Sequence, residues 1–355
     1  MLFDDDPPPK LVGIARLAAS SDLLEAKREV EYLELETRRF IGRGSGRMRS
    51  IWTINPYRGC EYGCKYCYAR YAHEFMELRD PELFERKIYA KQFNVLAFRA
   101  EVRRLKRGDT VWIGTATDPY QPAERRFEIT RQILEVFAGE RGLDLGITTK
   151  SDFAARDAAL MAQVLRNNKI RVHLTITTLD ERLARLLEPR APRPALRLAA
   201  VKKLTDAGVP VSVLAHPVMP LINDSEESLD RVCEAAARNC ASSFSAAPLF
   251  LKPCSAQVFL PFLEERFPHL VRRYRERFSK NAYLKGHYPE MIAERVDRIR
   301  ARHKLSQRRA PEWPVPSVFE DQLELFSSEE LFSSGAKRPG AVGQPGTLQR
   351  KVNRV

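Results

Sequence analysis

Short apolar runs that alternate with amphipathic segments constrain the fold of this chain more than any other feature. Five runs have the length and composition of buried strands, namely Thr110–Gly114, Leu143–Thr148, Ile170–Ile176, Val209–Leu214 and Ser243–Leu251. Alternation of strands and helices is typical of parallel βα units. With a first strand just before Cys60, the sequence predicts about six units, fewer than the eight of a complete barrel. An incomplete barrel and an open doubly wound sheet both fit this number.

The segments between these apolar runs have the periodicity of amphipathic helices. Ile129, Ile133 and Val136 share one face of a predicted helix. A later helix extends through Leu204 and ends at Gly208, because glycine is a common C-terminal signal. The sequence therefore predicts an α/β core.

The sequence divides into four regions. We predict an N-terminal extension and linker in residues 1–50, with a charged helix over Asp22–Arg39, and the α/β core in residues 51–254. Residues 255–305 combine an apolar stripe with an excess of Lys and Arg, which predicts a basic helical appendage. Residues 306–355 contain scattered Pro, Gly and Ser with little periodicity, so we expect a largely disordered tail.

The charge balance indicates the kind of partner. The chain has 59 Lys and Arg against 46 Asp and Glu, a formal net charge of +13. This surplus favours polyanions such as DNA or RNA, or an anionic membrane surface, although an Arg-rich composition could also be incidental. No apolar stretch approaches the roughly 20 residues that span a bilayer, so we expect no membrane insertion. Six cysteines, three of them clustered, argue against a disulfide framework and predict a reducing, cytoplasmic location.

The clustered cysteines form a metal-ligand motif. Cys60, Cys64 and Cys67 have C-x3-C-x2-C spacing, and no fourth cysteine lies near them. Iron–sulfur clusters are usually held by four thiolates, so three would leave one iron open for a substrate or cofactor. The alternative is a zinc site with His73 as fourth ligand, which would make the protein a nucleic-acid-binding module rather than an enzyme.

Polar residues follow the predicted strands. Lys150 is a compact cation suited to a carboxylate, and Asp118 could hold an amino group or ribose hydroxyls. The carboxyl ends of parallel strands meet at one face, so we expect these residues to converge with the cysteine loop. Four side-chain hydroxyls could also hold an amino group or ribose hydroxyls, and the Tyr66 ring could pack beside an adenine. These hydroxyls belong to Thr115, Thr117, Thr175 and Thr177. For each residue, a role in capping a helix or fixing a turn is the alternative.

Together these motifs resemble the radical SAM superfamily, and more closely its branch related to spore photoproduct lyase, often described as DNA repair photolyase-like. Cys60, Cys64, Tyr66 and Cys67 match the superfamily signature. The matching segments are Asn55-Pro-Tyr-Arg-Gly-Cys60, Thr117-Asp-Pro-Tyr-Gln-Pro122 with Glu124, Thr149-Lys-Ser151, Leu187-Glu-Pro-Arg-Ala-Pro192 followed by Arg197, and Pro217-Val-Met-Pro220 leading to Asn223-Asp224. The resemblance spans about residues 50–250.

The resemblance implies a partial (β/α)6 barrel that holds a [4Fe–4S] cluster through the three cysteines. S-adenosylmethionine (SAM) would bind the open iron and be cleaved to methionine and a 5′-deoxyadenosyl radical, which abstracts hydrogen from the substrate. By motif position, Thr117 and Asp118 would lie near the amino group of SAM, Lys150 near its carboxylate and Thr175 near its ribose. Glu188 and Arg197 belong to the same motif set. An electron donor such as flavodoxin or ferredoxin is also implied.

One departure from the family leaves the substrate open. Spore photoproduct lyases carry a hydrogen-donating cysteine where this chain has Gly114-Thr-Ala-Thr117. Reversal of a thymine dimer is therefore in doubt. A repair-lyase-like reaction on nucleic acid is the favoured hypothesis, because the chain is basic, and a substrate other than nucleic acid is the alternative.

Three further features have open interpretations. Cys233, Cys240 and Cys254 could hold a second cluster or could be core cysteines. His173 and His216 are expected to be structural or loop residues. The segment Gln322-Leu-Glu-Leu-Phe326 resembles peptides that dock on the bacterial replication sliding clamp, with a stray apolar run as the alternative.

Overall fold

The strands of the chain form two sheets. The structure, a computed structural model, describes residues 11–27, 29–44 and 49–305. The strands within these residues are Leu23–Lys27 (β1), Val30–Leu35 (β2), Ile41–Arg43 (β3), Trp52–Ile54 (β4), Tyr57–Arg58 (β5), Lys87–Lys91 (β6), Thr110–Ile113 (β7), Asp144–Thr149 (β8), Lys169–Thr175 (β9), Val211–Val218 (β10) and Ser243–Pro248 (β11).

Helices connect the strands and follow them at the C-terminal end. They are Gly13–Ala19 (α1), Tyr71–Glu74 (α2), Leu83–Arg86 (α3), Val95–Val102 (α4), Glu124–Phe127 (α5), Ile129–Ala138 (α6), Ala158–Asn167 (α7), Glu181–Leu187 (α8), Pro194–Asp206 (α9), Glu226–Arg238 (α10), Pro253–Arg266 (α11), Val271–Phe278 (α12) and His287–Arg302 (α13). The predicted face of α6 is confirmed, because Ile129, Ile133 and Val136 are all buried. Among the described residues, no helix has the length and apolar character needed to cross a membrane.

The larger sheet has the order β11-β10-β9-β8-β7-β4-β3. Six strands of this sheet, β4 and β7 to β11, are parallel and neighbour one another in the order of the chain. At one edge of the sheet β3 pairs antiparallel with β4. The α/β class with a partial (β/α)6 barrel is therefore confirmed. Parallel order places the loops after all six strands at one end, where such folds build their sites.

The smaller sheet has the order β1-β2-β6-β5 and corrects one prediction. The helix predicted over residues 22–39 is wrong, because this segment forms β1 and β2. Tyr32 and Leu33 of β2 are buried on opposite faces of the strand. The parallel partner of β2 is β6, more than 50 residues later, and a local charge pattern does not reveal this pairing. In the predicted linker, β3 forms an edge strand of the larger sheet.

The C-terminal helices complete the hydrophobic cores. Ile292, Val296 and Ile299 of α13 are buried in the main core with the strands of the larger sheet. Phe259 and Tyr274, on α11 and α12, are buried in a second core that includes Cys64 and Tyr66. The helices predicted for residues 255–305 are confirmed, and two of them, α11 and α12, pack beside the cysteine loop. The segment 322–326, with its predicted docking motif, lies outside the described residues.

Candidate active site at the cysteine loop

The cysteine loop follows β5 through a glycine that the backbone requires. Gly59 has a φ of +83°, and a Cβ there would lie 2.7 Å from Lys87 O and 2.8 Å from Phe84 O. A side chain at this position would therefore be both strained and in collision with backbone. The Cys60 N–H donates to Phe84 O at 2.9 Å, which fixes the first cysteine against helix α3.

A buried arginine supports the middle of the loop. Arg70 is only 1% exposed and forms an ion pair with Glu85 at 2.5 Å. Its guanidinium also donates to Cys64 O at 3.2 Å. Because the charge is paired and hydrogen-bonded, its burial is tolerated, and it fixes the backbone between Cys64 and Cys67.

The loop after β7 is hydrogen-bonded to the cysteine loop. Thr117 Oγ1 donates to Gly59 O at 2.6 Å, and Gln121 Nε2 donates to the same carbonyl at 3.0 Å. The Glu61 N–H donates to Gln121 Oε1 at 3.0 Å. Thr117 therefore lies beside the cysteine loop, and its hydroxyl contacts the loop backbone.

Asp118 connects the loops after β7 and β8. Its Oδ1 accepts from Thr149 Oγ1 at 2.6 Å and from the Tyr120 N–H at 2.9 Å. Its Oδ2 accepts from the Lys150 N–H at 2.7 Å. Burial raises the pKa of Asp118, although these hydrogen bonds oppose that effect. The turn-fixing role that the sequence left open for Asp118 is thus present in the structure.

Lys150 brings a cation to the cysteines. Its Nζ lies 5.5 Å from the centroid of the Tyr66 ring. Burial lowers the pKa of Lys150, but the negative charges of Cys64 and Glu188 outweigh burial and raise it. Within the described part of the chain, Nζ makes no hydrogen bond or ion pair, so its charge is available to a ligand.

Glu188 and Arg197 form a buried pair behind Tyr66. Arg197 Nη2 lies 2.5 Å from Glu188 Oε2, and both side chains are 1% exposed. The Tyr66 hydroxyl donates to Glu188, and Thr177 Oγ1 donates to Glu188 Oε1 at 2.7 Å. Burial raises the pKa of Glu188, but the positive charges of Arg197 and Lys150 lower it by more than burial raises it, so the carboxylate is ionised. The network fixes the orientation of the Tyr66 ring.

Thr175 ends β9 beside these groups. Its side chain is buried, and its carbonyl accepts from Arg197 Nη1 at 3.1 Å. The pair of Glu188 and Arg197 therefore also fixes the end of this strand. The structure brings together all the site residues predicted from the sequence.

Two cavities meet at these residues. The cysteine cavity, of about 110 Å³, is lined by Cys60, Cys64, Cys67, Thr117, Asp118, Lys150 and Thr175, among others. The large cavity, of about 370 Å³, shares several of its lining residues with the cysteine cavity, among them Cys64, Cys67, Lys150 and Thr175. The large cavity is lined by Tyr66, Tyr68, Trp112, Gly114, Thr115, Thr148, His173, Leu214, His216, Pro217, Ser245, Ala247, Pro248, Leu249 and Phe250 as well. No Asp, Glu or Arg of the described residues lines the large cavity.

The cysteine cavity fits an iron–sulfur cluster. Cys64 is buried and the other two cysteines are half-buried, and burial raises the pKa of all three thiols. In the described residues, no three His, Cys, Asp or Glu side chains are placed to hold one metal ion. In a cubane cluster each thiolate binds a different iron. Its cysteines therefore need to line a shared cavity, whereas the ligands of a single metal ion need to meet at one point. The three thiols meet that requirement.

His73, the alternative zinc ligand, is packed away from this cavity. Its Nε2 lies 3.0 Å from Lys87 O, and its ring packs edge-on against Phe84 and Tyr89. Burial lowers the pKa of His73 to about 4. It does not line the cysteine cavity, so its contacts are those of a core histidine.

The other cysteines lie in separate places. Cys233 is buried in the main core, and Cys240 is exposed. Cys254 is buried, with Sγ 3.9 Å from Tyr68 O. None of the three lines either cavity.

The wall of the large cavity includes residues to which sequence reasoning gave no role in the site. Trp112 stacks on His173 with ring centroids 4.8 Å apart, and His216 Nε2 lies 3.3 Å from Ser245 Oγ. Gly146 is the register partner of Trp112, and a Cβ there would lie 3.1 Å from the indole. A glycine inside a predicted strand was the available signal, because it often marks a close approach.

Comparisons with known proteins show what this chain is similar to. The family model of the radical SAM superfamily matches residues 54–232, about half of the chain. An uncharacterized protein of Mycobacterium tuberculosis is 34% identical over 278 residues, which cover 78% of this chain and 82% of that relative. An uncharacterized protein of Methanocaldococcus jannaschii is 29% identical over 179 residues, 49% of this chain and 63% of that relative.

Solved structures of spore photoproduct lyase share the fold. A variant of that enzyme superimposes with a TM-score of 0.59 at 15% identity, over 78% of this chain and 80% of the lyase. The lyase complexed with dinucleoside spore photoproduct gives a TM-score of 0.57 at 14% identity, over 77% and 80% of the two chains. At this level of identity the likeness establishes the architecture alone.

Proposed function

Because the chain belongs to the radical SAM superfamily of enzymes, we propose that it holds a [4Fe–4S] cluster through Cys60, Cys64 and Cys67 and uses SAM. The observation that supports this most strongly is that the three thiols line one cavity together with Lys150 and Thr175. When bound, the cluster supplies an electron for cleavage of SAM and formation of a 5′-deoxyadenosyl radical. An electron donor such as flavodoxin or ferredoxin would reduce it.

The residues of the loop prepare the thiols as ligands. Burial disfavours the charged thiolates, whereas Lys150 lowers the pKa of Cys64 and Arg70 lowers that of Cys67. These cations therefore favour the thiolate form that binds metal. The hydrogen bonds from Cys60 N–H and to Cys64 O fix the spacing of the ligands.

The side chains around the two cavities can each be assigned to bind one part of SAM. Lys150, whose ammonium group has no hydrogen-bond or ion-pair partner among the described residues, is assigned to the carboxylate. Asp118 accepts three hydrogen bonds, and a carboxylate has about four acceptor positions, so one remains for the amino group beside Thr117. Thr175 is assigned to the ribose and the Tyr66 ring to the adenine. Glu188 and Arg197 act as positioning residues behind Tyr66 and Thr175.

We further propose a nucleic-acid substrate with a repair-lyase-like reaction. The net charge of +13 favours a polyanion. The large cavity lacks carboxylates among its described lining residues, so it would not repel the phosphates of a bound nucleotide. In the segment 114–117, Thr115 takes part in hydrogen bonds with Asn55, and no cysteine is present to donate hydrogen.

Formation of 5′-deoxyadenosine tests this proposal. The protein would be reconstituted anaerobically with iron and sulfide, reduced, and mixed with SAM, with and without irradiated DNA or RNA. We expect SAM cleavage that one of the nucleic acids stimulates. Cleavage that no nucleic acid stimulates would contradict the substrate class and favour another substrate. Absence of cleavage in every sample would contradict the proposed enzyme.

A further inference from the structure

A continuous series of aromatic rings extends from the large cavity to the surface. We call it the aromatic strip, and it consists of Phe75, Tyr71, Tyr68, Phe250 and Tyr283. Neighbouring ring centroids along the strip lie 5.9, 6.4, 5.1 and 5.2 Å apart. Tyr68 and Phe250, in the middle of the strip, both line the large cavity.

Both ends of the strip are exposed, and backbone hydrogen bonding holds one of them in place. Phe75 is 63% exposed, Tyr283 is 60% exposed and Tyr68 is 37% exposed. Tyr283 forms an isolated antiparallel bridge with Phe250, and the Leu251 N–H donates to Ala282 O at 2.8 Å. A contiguous apolar surface that the backbone fixes in place is characteristic of an interaction site.

A cation without an acidic partner among the described residues lies against the strip. Lys252 Nζ lies 3.8 Å from the centroid of the Tyr71 ring. Within the described part of the chain Lys252 forms no ion pair, so its charge is available to a phosphate.

We propose that the aromatic strip binds the unpaired bases of a DNA or RNA strand and leads them to the large cavity. This inference rests on the proposed nucleic-acid substrate and deepens it. Aromatic rings beside cations are the combination that binds single strands, because every base has a face to stack and every linkage a charge. A duplex hides the faces of its bases, so the strip selects unpaired nucleotides. Continuity through Tyr68 and Phe250 makes the strip an entrance to the site rather than a separate surface.

Fluorescence anisotropy with labelled oligo-dT and oligo-U tests the strip on the full chain. We expect Phe75→Ala and Tyr283→Ala each to weaken binding at least about five-fold, since stacking contributes roughly 1–3 kcal/mol per base. Tyr283→Phe keeps the ring and should bind like the wild type. Leu96→Ala removes a side chain that is 76% exposed on α4, away from the cavity, and should change nothing. Unchanged binding in both ring variants would overturn the proposal.

Two further measurements distinguish a nucleic-acid strand from an acidic protein partner, and failure of the strip from failure of the enzyme. Poly-glutamate should compete far less well than unlabelled oligo-dT, and equal competition would overturn the proposal in favour of an acidic protein partner. SAM cleavage is measured in the same preparations without oligonucleotide. If the wild type cleaves SAM and the ring variants bind normally, the strip fails and the proposed function stands. If the ring variants bind weakly but no preparation cleaves SAM, the strip stands and the proposed function fails.

Discussion

Lys150 and Glu188 are both charged residues of the candidate site, and they differ in whether a protein group neutralises them. Glu188 is paired with Arg197 in a location almost closed to solvent. Lys150 contacts the Tyr66 ring and both cavities but has no described carboxylate partner. Glu188 is therefore a structural charge, whereas Lys150 is the charge left for a ligand.

We predict that Lys150→Met raises the KM for SAM roughly ten- to hundred-fold, with a smaller effect on kcat. A hydrogen bond to a charged group contributes about 1.5–3 kcal/mol, and the variant loses it. The measurement is the SAM dependence of 5′-deoxyadenosine formation. Lys65→Met is the control, because Lys65 belongs to the same loop but lines neither cavity. An unchanged KM in Lys150→Met would contradict the assignment.

The Glu188–Arg197 pair should matter for stability. Glu188→Gln leaves the Arg197 charge buried without its partner, which costs about 3–5 kcal/mol of unfolding free energy. Glu234→Gln is the matched control, because its pair with Arg238 at 2.6 Å is exposed and contributes at most about 1 kcal/mol. The measurement is the free energy of unfolding of both variants by chemical denaturation. Equal losses would show that the buried pair has no special role.

Between elements, the predictions that succeeded depended on local patterns. Strands β8, β9 and β10 are buried on both faces, so each appears in the sequence as an apolar run that needs no partner to be identified. The failure at β1 and β2 has the opposite cause, because β6 stabilises them from far along the chain.

In the site, parallel topology predicts that Thr117, Lys150 and Thr175 converge. It does not predict that Asp118 holds the next loop, because that depends on neighbours in space.

The start of the cysteine loop gives a prediction at this scale. Gly59→Ala should destabilise the fold by several kcal/mol and reduce the bound iron, because its Cβ meets two backbone carbonyls. Gly108→Ala has the same φ of +83° but nothing within 4 Å of its Cβ. It therefore carries the backbone strain alone, about 1–2 kcal/mol. Thermal unfolding and iron content of the two variants are compared. Equal behaviour would mean that the close approach at Gly59 is unimportant.

In the whole molecule, the C-terminal helices join the active-site end to the main core. Helix α13 packs in the main core, and α11 and α12 pack in the core that contains Cys64 and Tyr66. The sequence predicted the helices and the sign of the charge in this region. It could not place the aromatic strip, because its two ends, Phe75 and Tyr283, are 208 positions apart and only tertiary packing brings the rings between them into contact.

The central claim is that the three loop cysteines hold the group on which SAM cleavage depends. The most direct measurement compares Cys64→Ala with Cys240→Ala after anaerobic reconstitution, by iron and sulfide content and by 5′-deoxyadenosine formation. Cys240 is the matched control, because it is exposed and lines neither cavity. We predict that Cys240→Ala behaves like the wild type and that Cys64→Ala loses SAM cleavage. Cleavage by Cys64→Ala at the wild-type rate would contradict the account.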